Sequence, residues 1–229
     1  MLPFKWIFFD LFDTLVYINE EIYYTGKKES AEITGIDPDE FIKAWKETAE
    51  DALIGILRDP FQRATKTLEK MGIKDRAIAA KISLYDVETL QRCVSFYDGA
   101  TETLALLREK GASLALLSNA TATTAFILNT LHLRDRFDVL VFSYEIGVKK
   151  PSHKFFEKAI EKTKAQPFET LFIGDGANRE LDSAKEMGFE TIRIVHPKKA
   201  NTFIEKELQS SDSHQIVYSF SELLKHLQV

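Results

Sequence analysis

Short apolar runs alternate with helical patterns along most of this sequence, and that alternation restricts the architectures open to the chain. The first run, Phe4 to Phe9, is dominated by aromatic side chains and ends at Asp10, which is typical of a buried strand. Further runs predict buried strands over 113–117, 139–142, 171–173, 191–195 and 215–218. Helical patterns lie over 100–110, 121–131, 152–164, 180–187 and 221–227. Apolar strands separated by helices favour the α/β class, with a parallel sheet covered by helices on both faces.

Residues 17–97 differ from the rest, because they combine helical periodicity with almost no strand signal. Pro38 and Pro60 each occupy a position suited to the first turn of a helix. The patterns predict helices over 38–56, 60–72 and 84–96. We therefore expect a helical insert over 17–97 that buries its own small core, and a discontinuous α/β domain over 1–16 and 98–229.

The composition excludes several classes of function. Lys and Arg number 30 against 35 Asp and Glu, a net charge of −5, and no long basic run indicates nucleic-acid binding. The single cysteine, Cys93, cannot form an intrachain disulfide, which favours a reducing, cytoplasmic compartment. No apolar run approaches the roughly 20 residues of a membrane span, and Asp10 and Asp13 interrupt any secretory leader. No pattern indicates the oligomeric state.

Polar residues follow the predicted strands, at the edge where open parallel sheets bind ligands. They are Asp10 and Thr14, Ser118 and Asn119, Lys150 in a later loop, and Asp175 and Glu180. Three carboxylates in one crevice would repel one another unless a cation lies among them, and a hard set of oxygen ligands suits Mg²⁺. Hydroxyl, amide and ammonium groups can bind anionic oxygens. The set predicts a site for a phosphate-like anion with Mg²⁺, and Asp10 is the candidate nucleophile.

The same residues resemble the four motifs of the haloacid dehalogenase (HAD) superfamily. In chain order these are Phe8–Leu15, Leu116–Asn119, Lys150-Pro151, and Gly174-Asp175-Gly176 continuing to Glu180. The helical insert stands where the family has its C1-type cap. The resemblance covers essentially the whole chain, and it implies a Rossmann-like doubly wound parallel sheet with an inserted all-α cap domain.

By this resemblance, Asp10 is the nucleophile and carries an aspartyl-phosphate intermediate. Thr14, Ser118 and Asn119 would hold the transferring group, and Lys150 would orient the nucleophile and offset its charge. The catalytic set implied is thus Asp10, Thr14, Ser118 and Lys150. The implied activity is that of a Mg²⁺-dependent phosphatase acting on a phosphorylated small molecule.

The resemblance also implies how the metal is held. Asp10, Asp175 and the backbone carbonyl of Phe12 would bind Mg²⁺ directly. Glu180 would hold a water ligand of the metal or lie just outside its ligands. The family usually has Asp at that position, and Glu retains the charge with one more methylene.

Position 12 departs from the phosphatases of the family. Most of them have a second Asp there, which protonates the leaving group, whereas this chain has Phe12. Asp13 is the next residue, but consecutive side chains point in different directions and it cannot be assumed to substitute. The 2-haloacid dehalogenases have an aromatic residue at this position, work without a metal, and lack the acid that this chain retains as Asp175. Two alternatives therefore stand: a 2-haloacid dehalogenase-type hydrolase, or a HAD-fold binding protein with weakened catalysis.

Overall fold

The computed structural model describes residues 2–197, 209–211 and 213–229. In this part of the chain the strands are β1 (Trp6–Phe9), β2 (Val16–Ile18), β3 (Val94–Phe96), β4 (Ser113–Ser118), β5 (Val139–Phe142), β6 (Thr170–Gly174), β7 (Glu190–Ile194) and β8 (Gln215–Val217). Six of them form one parallel sheet in the order β5-β4-β1-β6-β7-β8. The predicted strands are confirmed to within one residue at each end, except that β1 begins at Trp6 rather than Phe4.

The helices between β2 and β3 form the helical insert. They are α1 (Glu20–Thr34), α2 (Pro38–Glu47), α3 (Ala49–Leu53), α4 (Pro60–Lys70) and α5 (Arg76–Cys93). β2 and β3 pair in antiparallel fashion at its base, Val16 with Phe96 and Ile18 with Val94. The insert buries a small core of its own that includes Phe41, Trp45 and Leu68.

The remaining helices cover the parallel sheet. They are α6 (Ala100–Glu109), α7 (Thr124–Thr130), α8 (Ser143–Ile146), α9 (His153–Thr163), α10 (Glu180–Glu186) and α11 (Phe220–His226). Side chains of β1 alternate between two buried clusters, because Ile7 and Phe9 belong to one and Phe8 to the other. The sheet is therefore covered on both faces, which confirms the α/β fold with a doubly wound parallel sheet and a helical insert.

Three predictions for the insert need correction. The helix expected over 38–56 breaks at Thr48, whose hydroxyl bonds to the carbonyl of Trp45 at 2.8 Å and competes with the helical backbone. A single helix was expected over 84–96. The helix ends at Cys93, and residues 94–96 form strand β3. Strand signals were missed here because two three-residue strands are too short to show a period of two.

Helix α1 was not predicted at all. Of its buried residues only Ala31 is an apolar side chain of the core, and the others are Gly26, Lys27 and Ser30, so the hydrophobic period is concealed. Gly26 packs against α5, where a Cβ at this position would lie 2.2 Å from Thr89 Oγ1. Lys27 is buried because it pairs with Asp86 at 2.5 Å. Among the described residues, no helix combines the length and apolar character needed to cross a membrane.

Candidate active site

The carboxyl ends of three adjacent strands place the predicted site residues side by side. In the register of the sheet, Phe9 of β1 lies opposite Leu116 of β4 and Ile173 of β6. The chain therefore leaves β1 at Asp10 between the loops that follow the two neighbouring strands. The Asp10 amide donates to the carbonyl of Ile173 at 2.9 Å, which holds the start of this loop against β6.

Lys150 is the cation at the centre of this group. Its side chain is 2% exposed. The Nζ atom lies 2.5 Å from Asp10 Oδ1 and 2.6 Å from Glu180 Oε2, and it donates to the carbonyl of Leu117 at 2.9 Å. Burial lowers the pKa of Lys150, but the charges of Asp10 and Glu180 outweigh burial, so the net direction is upward. Lys150 is therefore a charged ammonium that holds two carboxylates in place.

Asp10, Asp175 and Glu180 form a buried carboxylate cluster with one ligand oxygen each within 4.8 Å of the others. Burial raises the pKa of Asp10 against the effect of Lys150, and the charge of Asp175 adds to the rise. Burial likewise raises the pKa of Glu180 to about 8. Three acidic groups thus share one ammonium, and the raised pKa values of Asp10 and Glu180 indicate that a further cation would stabilise their ionised forms.

One oxygen of this cluster lacks a partner. Glu180 Oε1 is buried and accepts no hydrogen bond from the described residues. Gly174 allows its approach, because a Cβ at Gly174 would lie 2.2 Å from Glu180 Oε1. Buried polar atoms are rarely left unsatisfied, and an all-oxygen cluster of acidic groups suits a hard divalent cation. Asp10, Asp175 and Glu180 therefore fit a metal site.

The hydroxyl and amide residues take different places. Thr14 Oγ1 donates to Asp10 Oδ2 at 3.2 Å, and Thr14 is fully buried. Ser118 Oγ is buried at the end of β4 and has no hydrogen-bond partner among the described residues. Asn119 bonds to the backbone of Lys150 in both directions, from its Nδ2 to the carbonyl at 2.9 Å and from the Lys150 amide to its Oδ1 at 2.8 Å. Ser118 thus offers an unused donor, whereas the Asn119 side chain positions the loop that carries Lys150.

Phe12 and Asp13 form the turn after β1. Both residues contribute to the lining of the same cavity as Asp10. Asp13 has a φ of 58° and its amide donates to the carbonyl of Val16 at 2.7 Å, so it shapes the turn. Its Oδ1 accepts from the hydroxyl of Tyr97 at 3.4 Å. Burial and the neighbouring Asp13 both raise the pKa of Tyr97, so this phenol stays protonated.

A cavity of about 380 Å³ lies between the carboxyl end of the sheet and the helical insert. Its floor includes Asp10, Ser118, Lys150, Asp175 and Glu180, and Thr14 is absent from the lining. The insert and its base contribute Ile18, Tyr23, Ala49, Leu53, Arg63 and Leu90. Sequence reasoning missed Arg63, because its spacing on α4 resembles that of any solvated arginine. The volume is in the range of small-molecule sites.

Comparisons with known proteins agree with the fold. A family model described as haloacid dehalogenase-like hydrolase matches residues 4–188. The chain is 26% identical over 164 residues to haloacid dehalogenase-like hydrolase domain-containing protein 3 of Bos taurus, a match that covers 71% of the chain but only 64% of that relative. It is 27% identical over 212 residues to the glyceraldehyde 3-phosphate phosphatase of Pyrococcus furiosus, covering 88% and 85%. The 2-haloacid dehalogenase of Pseudomonas syringae shares the fold with a TM-score of 0.73 at 18% identity, over 98% of each chain.

Proposed function

The chain belongs to the haloacid dehalogenase-like hydrolases, and we propose that it is a Mg²⁺-dependent phosphatase acting on a phosphorylated small molecule. The buried carboxylate cluster carries the proposal, because Asp10, Asp175 and Glu180 share the single ammonium of Lys150. A bound cation would also satisfy Glu180 Oε1, which has no hydrogen-bond partner among the described residues. The relative from Pyrococcus furiosus, which is named as a phosphatase of a phosphorylated aldehyde, supports the substrate class.

Asp10 is the nucleophile in this proposal. One of its carboxylate oxygens attacks phosphorus, the bond from phosphorus to the ester oxygen breaks, and the leaving group departs with the electron pair. Lys150 orients Asp10 through the 2.5 Å contact to Oδ1 and offsets its charge before the attack. Water then hydrolyses the aspartyl-phosphate, which releases phosphate and restores the Asp10 carboxylate.

Other residues of the chain hold the phosphoryl group and the metal. Ser118 Oγ, which has no partner in the described residues, donates to a phosphoryl oxygen. Asp10, Asp175 and the Phe12 carbonyl would hold Mg²⁺, and Glu180 would lie beside these ligands or hold a water ligand of the metal. When bound, the metal neutralises charge on the phosphoryl oxygens and so favours attack by an anion.

Phe12 limits the leaving groups that this site handles well. A positioned acid contributes typically about 10² to 10⁴ in rate, and the Phe12 side chain supplies none. Substrates whose leaving group needs no proton, such as acyl phosphates and aryl phosphates, should therefore react faster than alkyl phosphates.

The test is phosphate release from acetyl phosphate and p-nitrophenyl phosphate with Mg²⁺ and with excess chelator. Activity should require Mg²⁺ and be abolished in Asp10→Asn. Asp135→Asn, a carboxylate removed from the exposed surface, is the matched control and should retain full activity. Activity that survives Asp10→Asn or the chelator would show that the mechanism is wrong.

Dehalogenation of a short 2-haloacid is the second candidate. The observation that favours it is Phe12 in the cavity lining, since a departing halide needs no proton. Metal-independent halide release from 2-chloropropionate, lost in Asp10→Asn, would support this activity. No halide release at high enzyme concentration would eliminate it.

A further inference from the structure

Arg63 of α4 lines the cavity from the helical insert, across from the carboxylate floor. The chain fixes its guanidinium from two sides. Nε donates to Thr48 Oγ1 and one terminal nitrogen donates to the Trp45 carbonyl, each at 3.3 Å. The guanidinium carbon lies 4.2 Å from the centre of the Trp45 ring, a stacking distance typical of cation–π contacts. These contacts fix the orientation of the guanidinium group, and its remaining N–H groups have no hydrogen-bond partner among the described residues.

No carboxylate of the described residues forms an ion pair with Arg63. The cavity lining contains three cations, and the other two are paired: Lys150 with Asp10 and Glu180, and Lys149 with Glu50. The acid of the insert whose charge acts on Arg63 is Asp86, which already accepts hydrogen bonds from two other side chains. It accepts from Lys27 at 2.5 Å and from Thr123 Oγ1 at 2.9 Å. Asp86 therefore offsets the charge of Arg63 only in part and without ion-pair contact, so an anion in the cavity could pair with Arg63 directly.

Desolvation makes this arrangement costly without an anion. Burial lowers the pKa of Arg63, against the opposing effect of Asp86. A guanidinium stays charged even so, and a hydrogen-bonded counter-charge stabilises a partly buried charge such as this one. A carboxylate or phosphate group matches the planar fork better than any neutral group does.

The cavity is thus divided into two regions. Its floor carries Asp10, Asp175, Glu180 and Lys150, where the proposed phosphoryl transfer takes place. Its insert side carries Arg63, and apolar side chains of Leu53, Leu90 and Ile18 line the wall. A volume of about 380 Å³ leaves room for a short carbon skeleton between them.

We propose that Arg63 binds a second anionic group of the substrate, so that the enzyme prefers phosphomonoesters with a carboxylate or second phosphate remote from the transferring phosphoryl group. This inference rests on the proposed phosphatase function and names its substrate class. Arg63 is a specificity residue in this account, because it contacts the substrate away from the reacting atoms.

Matched substrate pairs test the inference. 3-Phosphoglycerate and glycerol 3-phosphate differ in a carboxylate at the far end, and ribulose 1,5-bisphosphate and ribulose 5-phosphate differ in a second phosphate. In at least one pair, the wild-type enzyme should favour the substrate with the second anionic group by about 10- to 100-fold in kcat/KM. The pair that shows the preference tells whether a carboxylate or a phosphate is recognised.

Variants separate recognition from structural support. Arg63→Gln should lower kcat/KM only for the substrate with the second anionic group, mainly by raising KM. The two substrates of each pair should then have nearly equal kcat/KM. Arg63→Lys, which keeps the charge without the fork, should retain part of the preference. Arg58→Gln removes an exposed arginine just before α4 and should change nothing. Equal losses for both members would assign Arg63 a purely structural role and overturn the inference.

A binding experiment makes the outcome independent of turnover. In Asp10→Asn, 3-phosphoglycerate should raise Tm more than glycerol 3-phosphate does, and adding Arg63→Gln should remove the difference. If no phosphoester, acetyl phosphate included, is hydrolysed by the wild type, the proposed function fails. If esters are hydrolysed without any preference for a second anion, and Tm shows none either, only this inference fails.

Discussion

Lys150 Nζ contacts Asp10 Oδ1 at 2.5 Å across 140 residues of sequence. The contact joins the loop after β5 to the end of β1, and the same ammonium also holds Glu180 Oε2 at 2.6 Å. Lys150 and Asp10 are both buried, so removal of either charge would leave the other buried without a counter-charge and lower the free energy of unfolding.

Removal of this ammonium should destabilise the protein strongly. Lys150→Met leaves buried carboxylates without a counter-charge, which typically costs about 3–5 kcal/mol in free energy of unfolding. Urea denaturation without added metal measures the loss. Lys149→Met is the control, because Lys149 pairs with Glu50 at the exposed surface and should lose less than about 1 kcal/mol. Equal losses in the two variants would contradict a buried, uncompensated charge.

Phe12→Asp should supply the general acid that position 12 lacks. Phe12 contributes to the cavity lining, so an aspartate at this position would add a carboxyl group beside the proposed reaction site. Hydrolysis of alkyl phosphates should rise about 10²-fold, whereas acetyl phosphate should change little because its leaving group needs no proton. Steady-state kinetics on both substrates measure the ratio. No gain on either substrate would indicate that the missing acid does not limit turnover.

The buried pair of Lys27 and Asp86 should couple the helices of the insert. Lys27→Met leaves Asp86 buried without its 2.5 Å partner and should cost about 3–5 kcal/mol in free energy of unfolding. The double variant Lys27→Met/Asp86→Leu removes both charges, so its loss should be smaller than the sum of the single losses by at least about 1 kcal/mol. A double-mutant cycle in urea measures this coupling, and additive losses would refute it.

Cys93 should be unreactive in the folded protein at neutral pH. Burial raises the pKa of its thiol to about 11. At pH 8 only about one thiol in a thousand is then ionised, and the thiolate is the reactive form. Alkylation by iodoacetamide, followed by mass spectrometry, should accelerate about tenfold per pH unit while the fold persists. A rate that levels off near pH 9 would show that the pKa of the thiol is not raised. The alkylation rate of the chain unfolded in urea gives the reference for an ordinary thiol.

Local patterns were sufficient for the parallel strands and for most helices that cover them, although the four-residue α8 was not predicted. The aromatic run before Asp10 predicts β1 because a strand buried on both faces must be apolar throughout. Since parallel strands place their carboxyl ends at one edge, Asp10, Ser118 and Asp175 could be expected together from their positions alone. In the insert, the same reasoning missed α1, because Gly26 and Lys27 on its buried face interrupt the apolar period that reveals a helix.

The sequence by itself therefore determined the six strands of the parallel sheet and the residue types at their ends, because both are recorded in short stretches of chain. Only the tertiary structure decided which charges remain unpaired. Arg63 and Lys149 are both unremarkable basic residues in sequence, yet Lys149 pairs with Glu50 and Arg63 lines the cavity without a carboxylate partner among the described residues. Pairing depends on distances between segments far apart in the chain, and packing of the insert against the sheet alone sets those distances.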